Sequence, residues 1–294
     1  LSPKNPFEII KRFFALIRLR MTYFNKMLKL HLAKAEKIVY TNEVMLHTYK
    51  GIKMKSFKNA FTLAELLIVL GIIGIIAALT MPALIASHKE KETVTRLKKA
   101  YSTLSNAYNL AIAENSTPEN WDLIAQNDAQ GAENLMNMLV PYLNVTKNCG
   151  RNKGCFPDVI YKNLAGANDS NYNSLAKQAK AILNDGTIFS VDVRDPDCTA
   201  SRGDSPALEG FCGMLYIDVN GFKPPNQNGK DTFQFYINKH AIVPRGIQGD
   251  VSAFEDLCKR NQSGYNCAGW VIHNENQDYL KCDDLSWNGK TKCK

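Results

Sequence analysis

Three groups of residues in this 294-residue chain have the types and spacing to do chemistry. The first is a single carboxylate, Glu65, at the edge of an uncharged run from Leu66 to Ala86. A carboxylate at the centre of a bilayer costs about 2.5–3.5 kcal/mol, and less near the interface, so such a residue needs headgroup water or a cationic partner. The second group is cysteine: Cys149, Cys155, Cys198, Cys212, Cys258, Cys267, Cys282 and Cys293, an even number confined to the second half of the chain. That pattern reads as a disulfide framework in an oxidising compartment. Closeness along the chain favours Cys149 with Cys155, Cys198 with Cys212, Cys258 with Cys267 and Cys282 with Cys293. The third group, Asp218, Asn220, Asn226, Asn228 and Asp231, gathers oxygen donors around glycines and could hold calcium. It lacks the closing bidentate glutamate of an EF-hand loop, and an Asx-rich turn between strands is the competing account. Asp192, Asp195 and Asp197 form a thinner set of the same kind.

Other chemistries find no residues. There is no C-x-x-C, and His31, His47, His88, His240 and His273 fit no zinc spacing. Nothing resembles a nucleophile elbow or a phosphate loop, so the sequence reads as no enzyme and, calcium aside, as needing no cofactor. The competing classes are an exported binding module and an exported enzyme whose acidic residues meet only in the fold.

The elements that must carry these groups begin with the apolar run. Its 21 residues span roughly 30 Å as a helix, the thickness of a bilayer's hydrocarbon. A cleaved secretory signal would have a shorter apolar region and a small-x-small site, and Leu84-Ile85-Ala86 offers none. Charge is unevenly distributed around this run. Residues 1–60 hold 13 Lys and Arg against 3 Asp and Glu, whereas the remainder holds 23 against 25. A basic head before a membrane segment is a topology signal and argues against a nucleic-acid-binding domain. It places the amino end in the cytoplasm and everything after about Lys89 outside, where the cysteines also point.

The stretch from Ala60 through Phe61, Thr62, Leu63, Ala64 and Glu65 into the apolar run and Pro82 resembles the amino-terminal methylation motif of type IV pilins and type II secretion pseudopilins. The resemblance implies cleavage after Ala60, where the family usually has glycine, and N-methylation of the new first residue, Phe61. It implies assembly roles for Glu65, four positions on, and for Pro82 within the helix. A new amine on Phe61 would supply Glu65 with a cation, most usefully that of a neighbouring subunit. The implied partners are a prepilin peptidase and methyltransferase, an inner-membrane assembly platform and other pilin-like subunits. The implied location is a bacterial inner membrane, crossed once, with the carboxyl-terminal domain periplasmic or extracellular. Met54 opens a leader, MKSFKNA, of suitable length and charge, so residues 1–60 are expected to be leader, with 1–53 as sequence upstream of the start. Residues 61–88 would then be the membrane helix and 89–294 the exported domain.

Beyond Lys89 the helical spacing continues through Val94, Leu97, Tyr101, Leu104, Tyr108 and Ala111 until Asn115-Ser116-Thr117-Pro118 breaks it. A second helix is expected from Glu119 to Val140, ending at Pro141. Strands are expected over 187–193, 214–219, 232–237 and, more weakly, 241–243, with turns at Asn184-Asp185-Gly186 and Asn220-Gly221. A long amino-terminal helix packed on an antiparallel sheet, with a loop-rich disulfide-stapled carboxyl terminus, is an α+β arrangement and the order that the pilin resemblance implies. The expected function is a type II secretion pseudopilin; the alternative is a minor type IV pilin or tip module for adhesion or DNA uptake.

Overall fold

The computed structural model describes residues 63–293. Ala60, Phe61 and the expected leader therefore lie outside the described residues. The chain divides into two units, Leu1–Ile68 and Val69–Lys294, and the second contains the whole sheet and everything packed on it.

Helix α1, Leu63–Asn115, runs unbroken for 53 residues with Pro82 inside it. Its outer half buries one stripe, Val94, Leu97, Ala100, Leu104, Ala107, Tyr108 and Ala111, at the three-and-four spacing of a helix face. That stripe meets a six-stranded antiparallel sheet in simple sequence order, β1 to β6. The strands are β1 (Val145–Gly150), β2 (Ala179–Leu183), β3 (Ile188–Val193), β4 (Phe211–Asp218), β5 (Thr232–Asn238) and β6 (Ala241–Pro244). The fold is α+β and pilin-like, with four disulfides after the helix.

Register sorts the sheet into two faces. Ala181, Phe189, Ile217 and Phe233 lie in one row, and Ala179, Val191, Leu215 and Phe235 in the next. This apolar face packs on α1, where the Tyr101 ring stacks on Phe235 at 5.3 Å and the Tyr108 hydroxyl donates to the Asn238 carbonyl at 2.7 Å. The opposite face carries Lys180, Ser190, Tyr216 and Gln234, then Asp192, Met214 and Tyr236. It is covered by loops that bring in Phe156, Tyr161 and Tyr172. Every residue of β3, β4 and β5 is buried, because both faces are covered.

The expected helix from Glu119 to Val140 is corrected. Pro118–Asn120 forms a single 3-10 turn, and α2 occupies only Ala129–Leu139. Between them Asp122, Ile124 and Asn127 take φ of 54°, 64° and 58°, left-handed conformations that no helix admits. Asp128 then caps α2 by accepting from the amides of Gln130 and Gly131. Gly131 lets the preceding segment cross the helix closely, since a Cβ there would stand 2.0 Å from the Leu123 carbonyl oxygen. Trp121 and Leu123 are buried all the same, from an irregular segment. Strands β1 and β2 carry no strand signal in the sequence, for separate reasons. The sequence of β1, VTKNCG, is polar and mostly exposed, and Lys180 interrupts β2.

Lys180 is fully buried, and its ammonium has one acceptor, the Arg151 carbonyl at 2.9 Å. No carboxylate pairs with it among the described residues. Desolvation lowers its pKa from 10.5 to about 8. Lys180→Met is expected to stabilise the protein by about 1–2 kcal/mol at neutral pH. Between pH 8 and 10.5 the unfolded chain binds the extra proton, so wild-type stability rises with pH and the advantage of methionine shrinks. Thermal melts of both proteins across that range check the slope.

The carboxyl-terminal segment closes one end of the core. Helices α3 (Phe254–Leu257) and α4 (Ala268–Asn274) bring Phe254 onto Trp270, stacked at 4.1 Å, with Trp287 against both. Lys281 reaches back to Glu90 of α1 at 2.7 Å.

Candidate functional site

Two places gather the residues singled out by sequence. The first is the inner half of α1. Val69, Leu70, Ile75, Leu79 and Leu84 are each about half exposed or more, from 49% to 76%. A window of this helix has a mean hydropathy of 2.6 and none of it is buried, so it is long and apolar enough to cross a membrane. So much exposed hydrocarbon requires a covering, by lipid or by other helices. Glu65 stands in the first turn of α1. Gly71 and Gly74 have nothing within 4 Å of the position a Cβ would take, which leaves a smooth strip for a neighbouring helix. Pro82 cannot donate to the Ala78 carbonyl, yet the helix continues through it.

The second place is the long connection between β4 and β5. Asp218 ends β4 and is fully buried. One of its carboxylate oxygens accepts from the Tyr161 hydroxyl at 2.6 Å, the other from the amides of Asn220 and Gly221 at 3.1 and 2.9 Å. Gly221 takes a φ of +68°, which closes this turn. Asp231, 2% exposed, accepts from the Asn226 amide at 2.8 Å, the Gln227 amide at 2.7 Å and the Asn220 side chain at 3.0 Å. The side-chain oxygens of Asn220 and Asn226 are buried without a partner. Burial, and then the charge of Asp231, pushes the Asp218 carboxyl up to about 8, and burial likewise raises Asp231.

Two buried carboxylates thus stand beside two amide oxygens, those of Asn220 and Asn226, that meet no partner in the protein. Asn228 is not among them. Its amide accepts from the Tyr172 hydroxyl at 3.1 Å and donates to Asp169 at 2.8 Å. The thinner set also dissolves, because Asp192 is bidentate with Arg194 and Asp195 caps the turn at Thr199 and Ala200. Among the described residues no three His, Cys, Asp or Glu side chains converge as a metal cluster.

The eight cysteines form Cys149–Cys155, Cys198–Cys212, Cys258–Cys267 and Cys282–Cys293, each bridge joining neighbours in the sequence. Sequence reasoning missed a third place, a cavity lined by Arg194, Arg202 and Arg245. These arginines are scattered singly through the chain, so no local spacing marks them.

Comparison with curated proteins and with solved structures returns no match. Two family models do match. The prokaryotic N-terminal methylation motif matches residues 55–81, which places the chain among type IV pilin-like proteins. The family of unknown function DUF6613 matches residues 83–241, from the middle of α1 into β6, more than half of the chain. This pilin-like chain, a methylation-motif helix continued into a disulfide-stapled α+β domain, belongs to the DUF6613 family.

Proposed function

We propose that this protein is a structural subunit, a pseudopilin of a type II secretion system, whose work is mechanical assembly and not catalysis. Prepilin peptidase cleaves after Ala60 and Phe61 is N-methylated. The helix then holds the protein in the inner membrane, amino end in the cytoplasm and residues 89–294 outside, until the subunit passes from the assembly platform into a filament with other pilin-like subunits. The observation that carries this reading is the exposed apolar half of α1 running directly out of the matched methylation motif. An exposed strip of that length is stable in only two surroundings, lipid and a bundle of like helices, and assembly exchanges one for the other. A minor type IV pilin or tip module is the second reading, favoured by an exported domain far larger than the helix that carries it.

The expected mature chain begins with methylated Phe61. Intact mass and amino-terminal sequencing of the membrane-extracted protein check it, and a mature chain that keeps Ala60 would defeat the proposal. Calcium belongs to the same proposal as a stabiliser of the β4–β5 connection, held by Asp218, Asp231 and the side-chain oxygens of Asn220 and Asn226. There it would neutralise the two carboxylates and brace the turn that joins the strands.

A further inference from the structure

On the face of the sheet turned away from α1 lies a cavity of about 200 Å³. Met214 and Tyr236, paired across β4 and β5, line it together with Phe211 and Tyr216. Three arginines from two connections join the lining with Ser252: Arg194 and Arg202, both between β3 and β4, and Arg245 after β6.

The arginines differ in what they already hold. Arg194 is bidentate with Asp192, both contacts at 2.9 Å. Arg245 donates to the neutral Gln234 side chain at 2.6 Å, and its Nε is buried without an acceptor. Arg202 lies over Phe211, its guanidinium carbon 3.9 Å from the ring centroid. Among the described residues no acceptor in the protein meets any of its side-chain donors, and its Nε too is buried. A buried guanidinium donor without an acceptor is costly, and five donors held on an aromatic ring are already oriented for one.

The charge balance narrows the ligand. Asp192 offsets Arg194, and Asp250, whose oxygens accept from Tyr236, Gly246 and Ser252, lies within electrostatic reach of Arg245 without an ion pair between them. One positive charge is left over, that of Arg202, which suits a monoanion better than a dianionic phosphate. Planar guanidinium forks match carboxylates. The ring and thioether walls suit an apolar body, and the volume exceeds the roughly 150 Å³ that holds a benzene. We propose that this cavity is a binding site for a carboxylate attached to a small apolar or aromatic body. The site stands independently of whether the chain polymerises.

The test uses the full chain in detergent. Benzoate is titrated by calorimetry, with inorganic phosphate at equal ionic strength for comparison. Saturable one-to-one binding of benzoate is expected, tighter than that of phosphate. Arg202→Gln should weaken it by about tenfold or more, the loss of one charge-assisted fork. Arg202→Lys keeps the charge but not the fork, and should weaken binding with an unchanged melting temperature, which separates loss of the site from loss of the fold. No saturable benzoate binding, phosphate binding more tightly, or equal affinity in Arg202→Lys would overturn the proposal. A short peptide ending in phenylalanine, as free acid and as amide, identifies the source of the carboxylate. Tighter binding of the acid than of benzoate, with an inert amide, assigns the site to a protein carboxyl terminus, and the reverse order assigns it to a free organic acid.

Discussion

Glu65→Ala is expected to leave the protein in the membrane and to cut filament yield by about tenfold or more. Insertion depends on transferring the apolar run from Leu66 onward, and removing a carboxylate from its edge only makes that transfer easier. Assembly is different. In the proposed filament the Phe61 amine of an incoming subunit enters a bundle of apolar helices, and without Glu65 it does so with no counter-charge. An unpaired buried charge costs about 3–5 kcal/mol, more than enough to shift a subunit from filament back to lipid. Glu65→Asp should recover part of the yield, because it restores the charge at shorter reach. Membrane fractionation and shear release of filaments report the two effects separately. Normal yield from the alanine variant would make Glu65 an interfacial residue and remove the link between this helix and assembly.

Calcium is expected to raise the melting temperature of the full chain. A ligand that binds only the folded state at a hundredfold excess over its Kd adds about 2.7 kcal/mol. The physical source is the burial of two carboxylates, Asp218 and Asp231, which raises the pKa of both, with the charge of Asp231 adding to the effect at Asp218. Asp218→Asn is the sharper half of the prediction. Its oxygen can still accept from the Asn220 and Gly221 amides, and its nitrogen can donate to the Tyr161 hydroxyl oxygen. The variant should therefore fold, be more stable than wild type in chelator by about 1–3 kcal/mol, and lose its response to calcium. Calorimetric melts with and without calcium, and with magnesium as control, test it. An equal calcium response in Asp218→Asn would show that the metal binds elsewhere.

Much of this molecule is legible as local pattern. The 21-residue apolar run, the three-and-four spacing from Val94 to Ala111, and the alternating strands β3 to β5 each state their element within a short window. A helix periodicity or a β-branched run acts on backbone and neighbours alone, so it survives without knowledge of the rest of the chain. The four bridges are legible for a related reason, since each closes a short loop whose ends meet often in the unfolded chain.

What the tertiary structure decided is whatever depends on register and on distant segments. The stretch from Trp121 to Asn127 has enough apolar residues for a helix, but its side chains reach the core from left-handed turns that only packing stabilises. Lys180 sits inside a strand because both faces of the sheet are covered, a fact absent from the five residues of β2. Asp218 and Asp231 lie close in sequence and both are buried, yet the hydroxyl that Asp218 accepts from belongs to Tyr161, 57 residues earlier. Arg194, Arg202 and Arg245 meet because antiparallel pairing carries two loops, the β3–β4 connection and the segment after β6, to one patch of the sheet. Sequence alone determined the long apolar helix, its methylation motif, the α+β order and the neighbouring cysteine pairs, because those are short-range properties of the chain. The fold alone decided which charges are buried together and which are left without partners, because burial and convergence are properties of the whole packed sheet.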